Sequence, residues 1–272
     1  MKVCAVTDEI SQDPETAIEL ATDWGIRHVE LRELWGKRVP DIDRTQKETL
    51  IEILNRYGVN VLAISPGIFK VPASRRDLME EHLHLRLLKS FELAESLGTN
   101  IVIIFSPIRE SQQEQDIFRD SISFFRSAAD RAEERNMTLA LENEASCLAD
   151  TGSSVARLVK AVASNKLFVN WDPCNSFLAG QDPFPTGYLE VRDMIRHVHL
   201  KDCLSDGQKR IKRYVPIGQG EAKTEELLRE LSESHYQGGV SVETHFRPKV
   251  KGTRDCIGGL RTILQRIGEI ED

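Results

Sequence analysis

Two histidines, a lysine and an aspartate stand within six positions late in the chain, in the stretch HVHLKD at 197–202. His197 and His199 alternate with Val198 and Leu200, which is the pattern of a β-strand with one polar and one apolar face. Imidazole nitrogens bind metal ions and exchange protons near neutral pH. The stretch therefore predicts a strand that presents ionisable groups along one face.

Carboxylates recur at the ends of three other short apolar runs. In LALENE, Glu142 shares a strand face with Ala140, and two leucines occupy the opposite face. The same alternation in LFVNWD and GGVSVET puts Asp172 and Glu243 on the polar face. We expect small and polar side chains to face inward and large aliphatic ones to pack outward against helices. The inward set then contains Glu142, Asp172, His199 and Glu243.

Such residues meet only if the fold brings four strand ends together. The chain contains eight short apolar runs, and longer amphipathic segments separate them. The runs are KVCAVT (2–7), HVELRE (28–33), NVLAIS (60–65), NIVIIFS (100–106), MTLALEN (137–143), LFVNWD (167–172), HVHLKD (197–202) and GGVSVET (238–244). Eight strand–helix pairs predict an α/β fold, a (β/α)8 TIM barrel that forms a single domain over residues 1–272. The chemistry of such barrels lies at the carboxyl ends of the strands.

The rival architecture is an open doubly wound sheet, in which a Gly-rich phosphate loop follows the first strand. Here TDEISQDP follows the first run, so the barrel is favoured. Helix signals fit the same pattern. Asp13 and Pro14 predict the N-cap and first residue of the first helix, and Thr45 with Glu48 predicts a capping box at the second.

The convergence of three carboxylates and one imidazole has an electrostatic consequence. Like charges at close range raise one another's pKa, or they need a cation. One divalent metal ion is the simplest cation that satisfies all four groups. Mn, Mg, Co and Zn all suit an oxygen-rich site with one nitrogen ligand. The alternative is a set of separate Glu–Arg and Asp–Lys ion pairs around the barrel mouth.

Composition narrows the class of protein. A net charge of −7 and a pI of about 5.6 argue against a nucleic-acid partner, which usually needs a basic patch. No apolar run approaches the roughly 20 residues of a membrane span. The start MKVCAVTDEI reaches two acidic residues too early for a signal peptide, and the five cysteines form no CxxC pair. These features predict a cytoplasmic protein with reduced thiols and no membrane contact.

Four stretches carry a resemblance to a known family. They are LALENE, NWDPCN, HVHLKD followed by VPIGQGEAKTEEL, and VSVETH, in this order along the chain. With them the chain resembles the xylose isomerase-like TIM barrels, a group of sugar and sugar-phosphate isomerases and epimerases. The resemblance runs over nearly the whole chain. It implies a small carbohydrate substrate and one divalent metal ion.

By this resemblance, Glu142, Asp172, His199 and Glu243 match the family's metal ligands, and the two glutamates match its acid/base pair. The implied reaction is Glu-mediated proton transfer next to a carbonyl, through a metal-stabilised enediolate. One position departs from the pattern. Ketose epimerases and some related dehydratases commonly have a histidine three residues after the aspartate, where this chain has Asn175.

Several alternatives remain beside the isomerase or epimerase reading. A metal-dependent dehydratase of a keto-inositol or sugar acid shares the fold and the proton abstraction. A non-catalytic sugar-binding barrel also shares the fold, although a decayed site should have lost one of the four ligands. An abasic-site endonuclease would need three metals and more ligands, and the net charge weighs against it. Exposed helices of such barrels often pair, so a homo-oligomer is a possible assembly.

Five further residues are candidates for contact with the substrate. Lys201 faces inward one step above His199, and we expect it to meet a phosphate or carboxylate. The alternative for Lys201 is an ion pair with Asp202 or Glu221. The other candidates, each with a structural alternative, are His197, Asn175, Glu30 and His245.

Two additional expectations concern the barrel mouth. Arg32 is placed to balance the charge of Glu30, since both stand near the end of the second run. The Gly-rich loop VPIGQGE at 215–221 follows the seventh run, where barrels often bind phosphate through backbone amides.

Overall fold

The structure is a computed structural model that describes residues 1–110, 114–206 and 211–269. Eight parallel strands close into a barrel in which each strand pairs with the next one along the chain and the eighth pairs with the first. Barrel strands one to eight are Lys2–Val6, His28–Leu31, Asn60–Ile68, Ile101–Phe105, Thr138–Glu142, Leu167–Trp171, Ile195–Leu200 and Gly239–Val242. The prediction of a (β/α)8 TIM barrel is confirmed.

Helical segments follow every barrel strand and form the outer layer. The α-helices are Pro14–Asp23, Arg44–Tyr57, Arg76–Glu81, Leu87–Ser96, Glu114–Glu134, Gly152–Val162, Pro173–Leu178, Tyr188–Val191, Thr224–Glu233 and Lys249–Arg266. A wider helical turn, His82–Arg86, joins the third and fourth of them into one continuous rod. The loops that lead from each strand into its helix therefore all lie at the carboxyl ends of the strands.

Side-chain caps fix where the first two helices begin. Asp13 accepts a hydrogen bond from a backbone N–H of the first turn at 2.9 Å, so the predicted N-cap is confirmed. The capping box predicted at Thr45 and Glu48 is wrong. The box is formed by Asp43 and Gln46 instead, with reciprocal bonds of 2.9 and 3.1 Å, because the helix begins one residue before Thr45.

The alternation of side chains separates two cores. Leu139 packs in the large core between the barrel and the helices. Ala140 lies inside the barrel in a small cluster that includes Ala63 and Ile103. Because Glu142 shares the face of Ala140, its carboxylate points into the barrel at the mouth.

Two short antiparallel hairpins extend the carboxyl ends of strands two and seven. The first pairs Glu33–Leu34 with Lys37–Arg38. The second pairs Asp202–Ser205 with Ile211–Val215. Both hairpins follow strands at the same end of the barrel, so they build part of the rim around its mouth.

A carboxylate already occupies the backbone amides of the Gly-rich loop at 215–221. Asp202 accepts hydrogen bonds from the amides of Gly218 (3.0 Å), Gly220 (2.9 Å) and Ala222 (3.1 Å). The expectation that this loop binds phosphate is therefore wrong, because the hairpin's first residue folds back and takes its donors. Gly220 is required at its position, since a Cβ there would overlap the Asp202 carboxylate.

Two expectations drawn from composition can be compared with the structure. All five cysteines are buried free thiols and pack as small apolar side chains. Within the described ranges, no helix is both long enough and apolar enough to cross a membrane.

Removal of the Asp202 carboxylate should destabilise the fold. Asp202→Ala leaves three loop amides without their acceptor, and we expect the free energy of unfolding to fall by roughly 2–4 kcal/mol. Urea unfolding followed by circular dichroism measures the change. Asp193→Ala is the matched control, because that side chain is 90% exposed. Equal stability of the two variants would contradict the role given to Asp202.

Candidate metal centre

Strands five to eight bring four ionisable side chains into one cluster at the barrel mouth. One potential ligand atom from each lies within 4.8 Å of the others, and all four residues are buried. The members of this four-residue centre are Glu142, Asp172, His199 and Glu243. These are the residues that alternation placed on inward faces. Parallel pairing of neighbouring strands brings them together, with Glu142 beside Asn170 and Asn170 beside His197.

Two amide side chains hold the carboxylate of Glu142. Asn170 on strand six donates from Nδ2 to Glu142 Oε2 at 3.2 Å. Asn175 donates from Nδ2 to Glu142 Oε1 at 3.3 Å and to the carbonyl oxygen of Asn143 at 2.9 Å. Asn175 was a candidate for substrate contact, and it lies buried here with its amide on Glu142. In this position it orients a carboxylate of the centre.

Asp172 is fixed through both its backbone and its side chain. The amide of Asn143 brackets it, accepting from the Asp172 N–H at 2.8 Å and donating to the Asp172 carbonyl at 2.8 Å. Asp172 Oδ1 caps the next helix by accepting from the backbone N–H of Asn175 at 2.9 Å. Its Oδ2 accepts a hydrogen bond from Lys201. One carboxylate oxygen therefore serves local structure, and the other faces a cation.

His199 presents its two ring nitrogens to different partners. Nε2 lies 2.9 and 3.1 Å from the two oxygens of Glu30. Nδ1 lies 3.2 Å from Glu142 Oε2 and 3.8 Å from Glu243 Oε2, yet it is buried without a hydrogen bond. When Nε2 carries the proton that Glu30 accepts, the lone pair of Nδ1 points at the carboxylates of the centre. A metal-binding histidine has this arrangement, with its other nitrogen fixed by a carboxylate.

A buried polar layer lies beneath the centre. Glu30 is fully buried, and its Oε2 accepts from Ser241 at 2.8 Å and lies 3.1 Å from His197 Nε2. Burial opposes the ionisation of Glu30, but the imidazoles of His199 and His197 outweigh it and lower its pKa. Gly239 leaves the room that the His197 ring occupies, since a Cβ there would approach the ring within 2.6 Å. Glu30 and His197 were candidates for substrate contact, and the structure places both below the mouth.

Lys201 bridges two carboxylates of the centre. Its ammonium donates to Asp172 and to Glu243 Oε2, the latter at 2.8 Å. The alternative ion pair of Lys201 with Asp202 or Glu221 is absent from the described residues. Burial opposes the charge, but the two carboxylates outweigh it and raise the pKa of Lys201 well above its ordinary value. The side chain is therefore a buried cation at neutral pH.

Arg32 spans the mouth from strand two. The expectation that it balances Glu30 is wrong, because Glu30 lies one layer lower and is compensated by two imidazoles. Arg32 instead pairs with Asp8 at 2.8 Å, with Glu9 at 2.5 Å and with Glu243. It links the end of strand one to the four-residue centre.

Two stacked rings stand beside the centre at the mouth. His245 is the more exposed of them, at 37% of its side chain, and its Nε2 lies 3.3 Å from Glu243 Oε1. The ring of Tyr214, on the second hairpin, stacks on His245 with centroids 5.1 Å apart and planes 26° apart. Burial raises the pKa of Tyr214 to about 12. The tyrosine is therefore a neutral hydroxyl at physiological pH.

The charges of the mouth fit a divalent cation. Five carboxylates meet there, and a sixth, that of Glu30, lies one layer below; among the described residues, Arg32 and Lys201 are the permanently charged groups that each bridge carboxylates of the mouth. The carboxylates are those of Asp8, Glu9, Glu30, Glu142, Asp172 and Glu243. Burial raises the pKa of Asp172 to about 6, so its ionised form is poorly compensated. His199 Nδ1 faces three carboxylates, and once it has lost its proton it completes a donor set that suits Mn, Mg, Co or Zn.

Sequence reasoning missed several residues of the site. Asn143 and Asn170 position the carboxylates, and Ser241 supports Glu30. Asn170 and Ser241 stand two residues before Asp172 and Glu243 on the same strand faces, so their parity was the available signal. Tyr214 had no such signal, because it reaches the mouth only through the fold of the hairpin.

A comparison against family models agrees with the fold. The model described as xylose isomerase-like TIM barrel matches residues 18–263. The match covers most of the chain, so the chain belongs to the xylose isomerase-like TIM barrel family. A curated relative, the uncharacterized protein MJ1311 of Methanocaldococcus jannaschii, is 24% identical over 233 residues, which are 82% of this chain and 77% of that protein.

Solved structures share the fold at low sequence identity. A D-tagatose 3-epimerase-like protein has a TM-score of 0.81 and 18% identity, covering 98% of each chain. The probable 3-DHS dehydratase AsbF of Bacillus anthracis has a TM-score of 0.77 and 17% sequence identity, and the match covers 96% of this chain and 99% of that one. The IolI protein with a bound zinc atom has a TM-score of 0.77 and 19% sequence identity, and the match covers 98% of each chain. At such identities the likeness establishes the fold.

Metal affinity should depend on pH with a change of slope near pH 6. Burial opposes a charge on His199, but Glu30 and Glu142 raise its pKa well above the ordinary value, so a metal ion must displace one proton from the imidazole. Below about pH 6, Asp172 also holds a proton that must leave. As the pH is lowered, we expect the affinity for Mn²⁺ to fall about 10-fold per pH unit down to pH 6 and about 100-fold per unit below pH 6.

Isothermal titration of the metal-free protein between pH 5 and 8 measures this dependence. Asp172→Asn removes the second proton and should retain only the shallower slope. An affinity that stays constant from pH 5 to 8 would contradict the proton displacement.

The contact between Glu30 and His199 should support metal affinity. In Glu30→Gln the charge that fixes the imidazole is lost while the shape is kept, and we expect metal affinity about 10- to 100-fold weaker. Titration with Mn²⁺ at pH 7.5 measures it, and Glu48→Gln at an exposed helix position is the control. Unchanged affinity in Glu30→Gln would refute the contribution of this contact.

Proposed function

We propose that this protein is a divalent-metal-dependent isomerase or epimerase of a sugar or sugar phosphate. The observation that carries the proposal is the position of two glutamates in one metal-compatible set. Glu142 and Glu243 come from strands five and eight and approach the same lone pair of His199 from different strands. Two carboxylates around one reacting carbon can remove a proton and return it at another face or at the adjacent carbon.

The residues that would hold the metal ion are Glu142, Asp172, His199 and Glu243. A bound divalent ion acts as a Lewis acid that stabilises negative charge on the oxygens of a substrate carbonyl and neighbouring hydroxyl. The layer beneath keeps His199 oriented, and the amides of Asn143 and Asn170 keep the carboxylates in place. Such preorganisation is what allows a site to stabilise developing charge without rearrangement.

The cations around Glu243 stabilise the charge on its carboxylate. Burial opposes its ionisation, but Lys201, His245 and Arg32 outweigh it and hold its pKa well below the ordinary value. The carboxylate is therefore ionised at neutral pH. Glu142 instead accepts hydrogen bonds from Asn170 and Asn175 and lies 3.2 Å from His199 Nδ1, so the hydrogen-bond partners of the two glutamates differ.

Substrate contacts are proposed for groups at the upper side of the centre. Lys201 and His245 stand at the mouth, where an oxygen-rich substrate would enter, and the Tyr214 ring extends the wall formed by His245. Asn175, Glu30 and His197 are assigned to support, because their polar atoms are directed at residues of the centre or the layer beneath.

A metal-dependent dehydratase of a keto-inositol or sugar acid is the second candidate. The likeness in fold to AsbF, described as a probable 3-DHS dehydratase, supports keeping it. Both reactions begin with abstraction of the same kind of proton from the substrate. In the dehydratase reaction the substrate then loses hydroxide. A non-catalytic sugar-binding barrel is disfavoured by the complete set of ligands. A cytoplasmic location, a possible homo-oligomer, and the absence of nucleic-acid and membrane partners stay proposals.

Replacement of either glutamate should nearly abolish proton exchange. We expect Glu142→Gln and Glu243→Gln each to lower the rate at least about 100-fold, because general acid–base catalysis contributes that much or more. A panel of ketoses, sugar phosphates and keto-inositols is incubated with Mn²⁺ in deuterated water and followed by NMR. Deuterium entering one carbon marks the activated C–H.

The same spectra separate the candidate functions. Epimerisation or isomerisation gives a product with the same composition as the substrate, whereas a dehydratase gives an unsaturated product or its ketone. Glu48→Gln controls for nonspecific effects of losing a carboxylate. Near-normal exchange in both glutamate variants would refute their assignment, and an absence of exchange with every substrate would favour the binding barrel.

A further inference from the structure

A cleft of about 420 Å³ opens at the rim of the barrel, next to strand three and the first hairpin. Basic side chains dominate its polar lining, and Glu81 is the single acidic residue among the described residues that line it. The lining residues used below are Arg38, Gly67, Lys70, His82 and Arg86. We call this feature the basic cleft. It is distinct from the four-residue centre, none of whose members lines it.

Arg38 has a free hydrogen-bonding edge in the basic cleft. Its Nη1 lies 3.3 Å from Glu33, but across the described ranges its Nε and Nη2 bond to no other group. These two nitrogens lie over Gly67, where a Cβ would stand 3.3 Å from each. Burial, and after it the charge of Arg32, lowers the pKa of Arg38, and the charges of Glu33 and Asp8 offset this only in part. The Nε–Nη2 edge is the one that binds an oxyanion through two parallel bonds.

Three further nitrogen donors line the same cleft. Lys70 and Arg86 each have a carboxylate partner, Glu144 at 2.6 Å and Asp41 at 2.9 Å, and neither partner lines the cleft. His82 is buried. Its Nδ1 accepts from a backbone N–H at 2.8 Å, so in the neutral ring the proton resides on Nε2. All four side chains therefore bring N–H donors to the lining.

The basic cleft adjoins the metal centre through two contacts. Lys70 binds Glu144, which stands two residues beyond Glu142, and the charges of Lys70 and Lys201 both act on Glu144. On the other side, the guanidinium of Arg38 is close enough to Arg32 for their charges to repel, and Arg32 contacts Glu243. The lining of the basic cleft and the four-residue centre are therefore connected electrostatically through Glu144 and Arg32.

We infer that the basic cleft binds an oxyanion carried by the substrate, a phosphate or a carboxylate remote from the carbon that exchanges its proton. The inference rests on the proposed function and adds a substrate class to it. An uncharged sugar hydroxyl would leave the fork of Arg38 without a matched acceptor. An oxyanion matches that fork and adds negative charge to a cleft whose described lining holds more basic than acidic side chains.

Anion binding can be measured without turnover. The full-length protein is stripped of metal with a chelator, because bound metal would itself attract anions, and it is titrated with inorganic phosphate and separately with acetate. We expect saturable binding that is at least about 10-fold weaker in Arg38→Gln, the effect of one charge-assisted pair. Arg38→Lys keeps the charge but loses the two parallel N–H donors. Its affinity for the anion should therefore lie between that of the unaltered protein and that of Arg38→Gln. Arg44→Gln, whose side chain is 89% exposed, should match the unaltered protein.

The two probes separate the sources of the anion. Preference for phosphate points to a sugar phosphate, and preference for acetate points to a sugar acid. Lys70→Gln provides a second variant on another element, in case Arg38→Gln fails to fold. No saturable binding of either probe, or equal binding in Arg38→Gln and the unaltered protein, would overturn the inference.

Kinetics tests the link to the proposed function. With an active substrate, Arg38→Gln should raise KM for the anionic substrate at least about 10-fold and change kcat by less than about 3-fold, since the contact is remote from the reacting carbon. The uncharged analogue should be unaffected. An equal loss with both substrates would overturn the inference. Phosphate binding lost in Arg38→Gln, together with no proton exchange on any substrate, would instead refute the proposed function and leave the anion site standing.

Discussion

Negative charge buried at the mouth of the barrel is the constraint to which the surrounding residues respond. A closed parallel barrel points all its strand ends at one small area, and here six carboxylates lie at the mouth or in the layer directly beneath it. Such a set is stable only with matching cations or protons. Lys201 and Arg32 supply permanent charges, and burial raises the pKa of Asp172 to about 6. The remaining imbalance is what makes a divalent ion the natural occupant.

Depth along the strand divides the two histidines of strand seven. His197 and His199 share one face, but successive positions of that face lie at different heights in the barrel. His197 Nε2 lies within hydrogen-bond distance of Glu30 and Ser241, whereas His199 spans from Glu30 to the carboxylates above. Glu30 thus contacts both imidazole rings. The polar layer below the mouth therefore holds His199 in the orientation it has in the four-residue centre. Two histidines on one face of the same strand therefore have different roles. His197 supports the site from below, and His199 is the candidate metal ligand.

The sequence predicted the fold and the four converging residues because both follow from periodicity. Strand alternation decides which side chains face inward, and parallel strands end at a common edge. The pairing of Arg32 could not be predicted, since its partner Glu243 is brought close only by closure of the barrel. The loop at 215–221 was misread because glycines that expose amides to a ligand look the same as glycines that expose them to Asp202. How far a side chain extends and where a loop folds back depend on the three-dimensional structure. A local sequence pattern therefore does not predict them.

Opposite charges lie side by side at the mouth, and this limits what net charge can tell about a ligand. The chain has a net charge of −7, which disfavours a polyanion that must contact a broad surface. A small ligand experiences only groups within about 10 Å, the distance over which salt leaves charges effective. Within that range the strand ends are acidic, and the rim around Arg38 is basic. A metal ion suits the first and an oxyanion suits the second, so a molecule with a carbonyl at one end and an anion at the other matches the field of the mouth better than a neutral sugar does.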